Sequence, residues 1–383
     1  MGFCKSYSHF HMVLLLLLLT KKIKGATKMK IRTAKIFIES ILINLQPFLE
    51  KKDASQITSH IFFQAQNGTC TVKATDQEIG LKINTNKINI EEEGSFTVNG
   101  KKLLEIIRIL RDEEITFELL DDTLIIKQRH SKFKLPTFNA NAFPLFPSIE
   151  NKPKISLDSL ELIQNLKKIS LSIDSNNPKF ELNGALINIK SNSTDLVGTD
   201  TRRLSIASIN SNNSNELSII IPKKAILEIQ KLFLDKITIH YDETNIIIAN
   251  ENYYFYTRLI NGKYPDYQRI IPINTKYNLT LPKKEMVDSI KMITTISQDI
   301  ELTILPNKII FNSLASDNIE AKTELEIETT IQDRFRLVFN SRYILDFLSQ
   351  IESRDFLLSL NEENLPFVVK DNNFITIIMP IVI

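Results

Sequence analysis

The sequence predicts an α+β fold made of three copies of one unit, each with two helices packed on antiparallel sheets. Three observations predict it. A strand-end turn recurs as Ala74-Thr75-Asp76, Gly198-Thr199-Asp200 and Ala315-Ser316-Asp317, at intervals of about 120 residues. Amphipathic helical runs lie at matching distances from these turns. Runs of β-branched residues, bounded by polar turn residues, fill the intervals as strands.

In the first copy, Lys30-Ile31-Arg32 opens a strand and Ala34 to Phe48 reads as a helix. Ile61 to Ala65, Cys70 to Lys73 and Ile79 to Ile83 follow as strands around the turn. Ser95 to Val98 is a strand and Lys101 to Leu110 a helix, with Leu103, Ile106, Ile107 and Leu110 on one face. Strands at Ile115 to Leu119, Thr123 to Gln128 and Lys132 to Leu135 complete the copy. The second copy starts near Ile155-Ser156-Leu157 and the third near Tyr277-Asn278-Leu279. Ile219-Ile220-Ile221 and Ile246-Ile247-Ile248 are strands of the second copy. Pro222 and Pro282 precede helical runs Lys223 to Asp235 and Lys283 to Ser297, where first-turn prolines are tolerated. In these runs Ala225, Ile229 and Leu232, then Met286, Ile290 and Ile293, are expected to face inward. The closing segment Phe143-Pro144-Leu145-Phe146-Pro147 matches Tyr264-Pro265-Asp266-Tyr267-Gln268. Proline-bearing joins place domains at 29–151, 152–276 and 277–383.

The 383 residues are 43% hydrophobic and 24% charged, which fits a soluble protein with several cores. Two cysteines make no disulfide framework. Residues 1–28 form a separate problem. A lysine precedes the apolar run Met12 to Leu19, like a signal peptide, but lysines follow the run directly and no Ala-x-Ala site appears. A translation start at Met29 is the preferred reading, since Lys24-Gly25-Ala26 can be encoded by a ribosome-binding sequence. Without this segment the 47 basic residues fall to 42 against 45 acidic, and the formal net charge moves from +2 to −3. An acidic chain binds nucleic acid only by gathering its cations on one surface.

The helices carry such cations. Lys224 and Lys231 are seven apart, opposite the apolar stripe of their helix, as are Lys284 and Lys291, and Lys101 and Arg108. Lys-Lys pairs open three helices: Lys101-Lys102, Lys223-Lys224 and Lys283-Lys284. One such pair is an ordinary solvated face; recurrence at equivalent positions suggests a common basic lining. Ammonium groups on flexible stems contact phosphate without reading bases, so the expected partner is double-stranded DNA, bound sequence-independently and salt-sensitively. No phosphate-binding glycine loop or dinucleotide fingerprint occurs. His60, His130, His240 and Cys70 are too scattered for a metal set, so no metal, cofactor or catalytic residue is expected. Asp76 and Asp200 sit in polar turns, where Asp ordinarily bonds nearby backbone.

Four segments, in order on this threefold repeat, resemble the bacterial sliding clamp family, the beta subunit of DNA polymerase III. They are Leu182-Asn183-Gly184, Thr199-Asp200-Thr201-Arg202-Arg203-Leu204, Asn261-Gly262-Lys263-Tyr264-Pro265-Asp266-Tyr267-Gln268-Arg269, and Met379-Pro380. The resemblance covers Met29 to Ile383. It implies that each chain is half of a ring, a head-to-tail homodimer with helices inside, encircling duplex DNA. The family has no catalytic activity of its own. It tethers the polymerase III alpha subunit, other polymerases and repair factors through short peptide motifs, and a clamp loader places it on DNA; no membrane is involved, and the location implied is cytoplasmic.

Carried over residue by residue, the family's peptide groove comprises Leu182, Thr199, Thr201, Arg202, Arg203, Leu204, Pro265, Arg269, Ile270, Pro366, Ile377, Met379 and Ile381. Arg203 or Arg269 is expected to meet a peptide carbonyl or carboxylate. The DNA-facing set is Lys52, Lys101, Lys102, Arg108, Lys168, Lys223, Lys224, Lys231, Lys284 and Lys291. Phe133 and Leu135 are expected on the edge strand that joins the partner subunit, with Ile296 on the opposing surface. Thr201 departs from the family's usual glycine and Arg202 from its common histidine. The alternative is an exported repeat-built binding protein, which rests on Met12 to Leu19 alone.

Overall fold

The computed structural model describes residues 28–53, 56–213, 216–314 and 319–382. Both readings of residues 1–28 therefore fall on residues outside that description, apart from Lys28, which opens a strand. The turn Ala315-Ser316-Asp317 lies outside it too. The described residues divide into two compact units, one of those up to Ser148 with Ile247–Tyr256, the other of those from Ile149 to Ile246 and from Thr257 onward.

The six α-helices among the described residues come in pairs. They are α1 (Lys35–Leu45), α2 (Gly100–Ile109), α3 (Ser159–Ser170), α4 (Lys223–Leu232), α5 (Lys283–Thr294) and α6 (Ser341–Gln350). Within each repeat the two helices pack on each other: α1 on α2, α3 on α4, α5 on α6. Their starts have identifiable chemistry. The side chains of Asn99, Asp158 and Asn340 accept a hydrogen bond from a first-turn backbone N–H. Pro222 and Pro282 stand one residue before their helices, at the strand-to-helix joint, and not inside the first turn.

In the first unit, antiparallel strands run in the order Tyr253–Arg258, Ile79–Thr85, Thr69–Thr75, His60–Gln66, Gly94–Asn99, Ser131–Phe138, Thr123–Gln128, Glu114–Leu120, Lys28–Ala34, Asn89–Glu92. The second unit holds an eight-stranded sheet, ordered Leu217–Pro222, Gly184–Ile189, Ser193–Thr199, Arg203–Asn210, Phe374–Ile378, Phe367–Asp371, Asp355–Leu360, Tyr277–Pro282. A four-stranded sheet runs Lys322–Glu326, Lys308–Ser313, Asp299–Leu305, Phe335–Asn340. The eight-stranded sheet is the important one. Its strands come from the second and third repeats and meet where Arg203–Asn210 pairs with Phe374–Ile378.

The expected elements appear with shifted ends. The first helix stops at Leu45 and continues as a 3-10 turn, Gln46–Phe48, because Pro47 cannot supply the next helical N–H. Near Ile155 there is no strand; Lys154 makes an isolated bridge to His240 and the Ile155 N–H reaches the Ile239 carbonyl. In α4, Ala225, Ile226 and Ile229 are buried, whereas Leu232 is half-buried because the helix ends there.

His60 is a buried residue with a consequence for pH. Its ring stacks on Phe138, with centroids 4.1 Å apart, and Nδ1 lies 3.3 Å from Thr97 Oγ1. Thr97 in turn bonds the Phe138 backbone at both its N–H and its carbonyl. This is the point where Gly94–Asn99 meets Ser131–Phe138, through Thr97–Phe138 and Val98–Thr137. Burial disfavours the imidazolium and pushes the His60 pKa down to about 4. The folded state thus binds fewer protons at this group than the unfolded chain. The stability it contributes is complete above the ordinary histidine pKa of 6.5 and is lost as pH falls toward about 4. Thermal melts are expected to show a lower midpoint at pH 5 than at pH 7, with a smaller decrement in His60→Gln. Equal decrements would remove His60 as the cause.

Candidate functional site

The recurring turn forms by the same chemistry in both described copies. Thr199 Oγ1 donates to the Arg203 carbonyl and accepts from the Thr201 N–H, while Asp200 Oδ1 accepts from the N–H groups of Arg202 and Arg203. Thr75 and Asp76 make the matching bonds to Gln77, Glu78 and Ile79. The two aspartates are therefore turn-forming residues, as their setting predicts. In each case the residue after Asp takes a left-handed conformation, with φ 74° at both Gln77 and Thr201. For β-branched Thr201 this costs on the order of 1 kcal/mol, and it explains why glycine suits the position.

Next to this turn lies an apolar floor on the eight-stranded sheet. Leu182, Leu204 and Ile377 are buried together with Leu186, Val197, Ile206, Ile220, Ile260, Tyr264, Tyr267 and Val368. Leu204 and Ile377 face each other as a registered pair across the two repeats. Around this floor are more accessible groups. Thr199, Pro366 and Ile381 are half-buried, while Thr201, Arg202, Pro265, Arg269, Ile270 and Met379 are exposed. The Met379 N–H is bonded to the Arg202 carbonyl at 2.9 Å, which ties the third repeat's last strand to the turn. Ile381 N–H reaches the Val338 carbonyl. Val368, Tyr264, Ile260 and Ile206 of this floor are not among the residues that the family resemblance implies. Tyr264 belongs to the segment 261–269; Val368 and Ile206 are strand residues and Ile260 follows a strand, all of ordinary apolar character.

Arg203 corrects an expectation. The resemblance implies that Arg203 or Arg269 meets the peptide, but the Arg203 side chain is only 3% exposed and all three nitrogens are engaged. Nε meets Asp200 at 3.1 Å, Nη1 meets Asp346 of α6 at 2.7 Å, and Nη2 donates to the Leu171 carbonyl at 2.6 Å, at the end of α3. The guanidinium also sits 4.6 Å from the centre of the Tyr343 ring. Three of its five N–H donors are taken by these partners, and at 3% exposure the remaining two have no access to a peptide. The accessible cations beside the floor are Arg202 and Arg269, the latter 85% exposed and 2.8 Å from Asp266.

A second buried polar group lies beside the floor. Asp195 accepts from Lys190, Tyr267 and Ser208, each at 2.7 Å. Burial alone would raise this carboxyl, but the three donors outweigh it and hold the pKa below the ordinary value. Burial pushes the phenol of Tyr264 up, so it stays protonated.

The predicted cationic residues divide into two sets. Lys52, Lys101, Lys102, Arg108, Lys224, Lys231, Lys284 and Lys291 are exposed. Lys102 pairs with Glu105 at 3.1 Å and Lys231 with Glu228 at 3.0 Å, both exposed enough to exchange partners. Lys223 and Lys168 are half-buried, contrary to the expected outward placement. Lys223 Nζ donates to the Ile173 carbonyl just beyond α3, and burial lowers its pKa. Lys283 makes the equivalent bond to the Ile351 carbonyl at 2.6 Å, beyond α6. In these two pairs the first lysine thus caps the partner helix, where carbonyls lack intrahelical donors. Lys168 donates to Asn373 Oδ1 at 3.1 Å.

Phe133 and Leu135 alternate with exposed residues on Ser131–Phe138 and are half-buried. That strand pairs along its length with Thr123–Gln128, and with Gly94–Asn99 at residues 137 and 138. Ile296, just past α5, is exposed. Among the described residues no group of His, Cys, Asp or Glu has the arrangement to hold a metal ion, and no helix is long and apolar enough to cross a membrane.

Comparison with known proteins agrees with this arrangement. Family models for the DNA polymerase III beta subunit match in chain order: the N-terminal domain over residues 28–147, the central domain over 156–266 and the C-terminal domain over 268–382. The beta sliding clamp of Helicobacter pylori strain J99 is 40% identical over 352 residues, spanning 90% of this chain and 94% of the relative. The structure of the Helicobacter pylori beta clamp bound to a DNA ligase peptide superposes with a TM-score of 0.87 at 39% identity, over 92% of this chain and all of the other. The Thermotoga maritima beta subunit shares the fold, with a TM-score of 0.83 at 24% identity. These matches leave the exported-protein alternative without support. With three clamp domains in order and relatives matched along nearly their whole length, the chain belongs to the DNA polymerase III beta subunit, or beta sliding clamp, family.

Proposed function

We propose that this sliding clamp is a non-catalytic processivity factor of the cytoplasm. Two chains close head to tail around duplex DNA and hold the replicative polymerase and other replication and repair proteins on it. The observation that carries the reading is the apolar floor of Leu182, Leu204 and Ile377, framed by exposed Pro265, Ile270 and Met379. A floor with accessible walls takes a short peptide ending in bulky apolar residues. The DNA ligase peptide bound to the Helicobacter pylori clamp supports this use of the groove. Tethering acts through effective concentration: a partner held on the ring stays near its template.

Exposed Lys101, Lys102, Arg108, Lys224, Lys231, Lys284 and Lys291, with Lys52, form the DNA-facing set. Lys223 and Lys168 are assigned instead to helix and loop bracing. Phe133 and Leu135, with Ile296, are assigned to the contact between subunits. Solution mass and retention on nicked circular DNA test the reading. A mass of two chains and retention of the ring are expected. Lys224→Ala with Lys231→Ala is expected to leave the dimer intact, weaken association with DNA, and reduce the slope of log affinity against log salt by roughly 2. A strict monomer at micromolar concentration overturns the ring, and an unchanged salt slope removes these lysines from the DNA-facing set.

A further inference from the structure

The exposed wall of the groove is not itself part of the sheet. Pro265 and Asp266 lead into the 3-10 turn Tyr267–Ile270, which carries Arg269 and Ile270. Within the turn the N–H of Ile271 reaches the Gln268 carbonyl at 3.3 Å, a weak closure. What reaches from this segment to the sheet is side chain. The Tyr267 ring is buried among the floor residues, and its hydroxyl donates to Asp195 at 2.7 Å and accepts from Asn188 at 3.0 Å.

Asp195 is itself fixed. It sits on Ser193–Thr199, registered opposite Ser208, and its oxygens are held by Lys190 and Ser208 as well as Tyr267. A hydrogen bond to a buried, ionised and immobilised carboxylate is among the stronger kinds. The bond therefore joins a wall outside the sheet to a strand within it.

The first repeat is an internal comparison. By the shared turn, Thr71 stands where Asp195 stands, four residues before Thr75 and Thr199 respectively. Thr71 is registered with Asn84 as Asp195 is with Ser208. By the shared closing segment, Phe146 stands where Tyr267 stands. Phe146 has no hydroxyl, and packs edge-on against Tyr256 at 4.9 Å instead. Thr71 bonds Asn84 at 3.0 Å. The first repeat thus closes this segment with the Phe146 ring and a bond from the Tyr254 hydroxyl to the Pro147 carbonyl, so the carboxylate–phenol bond of the groove-bearing repeat has no counterpart at the equivalent positions there.

We infer that Asp195 is a positioning residue for peptide binding, which it governs by locking Tyr267 and so presetting the wall formed by Pro265, Arg269 and Ile270. This inference rests on the groove reading above. Holding the wall before the peptide arrives removes an ordering cost from binding. The rest of the network, Lys190 and Ser208, serves to keep the carboxylate ionised and aimed.

Tyr267→Phe and Asp195→Thr place the first repeat's residues in the second and remove the bond from either side. The probe is a fluorescein-labelled peptide ending in Leu-Phe, titrated into the full-length dimer well below its melting temperature. Either variant is expected to weaken peptide binding about tenfold, mainly through faster dissociation, and to accelerate amide exchange at residues 267–271. Exchange in Ser193–Thr199 and Arg203–Asn210 and retention on nicked circular DNA should not change, which a general loss of structure would alter. In peptide affinity the double variant should cost no more than Asp195→Thr alone, because the Asp195–Tyr267 bond that both share is already lost there. Leu204→Ala is titrated alongside. Weakening by Leu204→Ala with none by either anchor variant overturns the inference and leaves the groove in place. No weakening by any of the three overturns the groove reading itself. If Tyr267→Phe does not fold, Asp195→Thr alone decides by the same readouts.

Discussion

Arg203→Ala is expected to destabilise the second unit by roughly 3–5 kcal/mol, the largest effect of any single substitution considered for this chain. The guanidinium neutralises Asp200 and Asp346 together, and it also satisfies the Leu171 carbonyl. Removing it leaves two carboxylates facing each other across the end of α3, and a carbonyl without its donor. Arg203→Lys should recover little, because a single ammonium cannot reach three acceptors disposed around a plane. Urea denaturation followed by far-UV circular dichroism measures the loss. Since Asp200 also shapes the turn before Leu204, peptide affinity should fall in parallel. A loss below 1 kcal/mol would mean that the guanidinium is easily replaced by water, and its assigned role would be wrong.

Leu204→Ala follows in size. Leu204 is buried in the floor and registered against Ile377, so truncation opens a cavity as well as removing contact area. The expected stability cost is roughly 2–5 kcal/mol. Peptide affinity is expected to drop by about a hundredfold, because the apolar anchor of a bound peptide loses part of its seat. Dimer mass should persist, since Leu204 is remote in sequence from Phe133 and Leu135 on their own strand. Fluorescence anisotropy with a Leu-Phe-ended peptide separates the two effects when it is run below the melting transition. Unaltered affinity in a folded variant would show that the peptide sits elsewhere.

The two groove arginines show how far residue type alone can carry a reading. Arg202 and Arg203 are adjacent and chemically identical, yet one is exposed and the other almost fully buried. Arg202 closes the exposed turn, whereas Arg203 opens the strand Arg203–Asn210, whose first five residues are all buried. Which of the two turned inward depended on Asp346 and Tyr343, which are some 140 residues away in sequence. The lysine pairs are similar. Helical spacing separated Lys224 from the apolar stripe correctly, but it gave no sign that Lys223, one residue earlier, would bend back to the Ile173 carbonyl.

The sequence by itself determined the repeat, the helix–sheet alternation, the polar turns built on Thr-Asp, and the exposed face of each lysine-bearing helix. The repeat is self-similarity along the whole chain; the other three depend on local hydrogen bonds and short-range periodicity, which a window of about fifteen residues contains. Only the tertiary structure decided which polar groups were buried and with what partners. Asp195, an unremarkable acid in a strand, became the anchor of Tyr267 because a 3-10 turn 72 residues later lies over the same sheet face. Leu204 and Ile377 became one floor because two repeats share a sheet. Burial and pairing are decided by groups far apart along the chain, and a reading of neighbouring residues has no access to them.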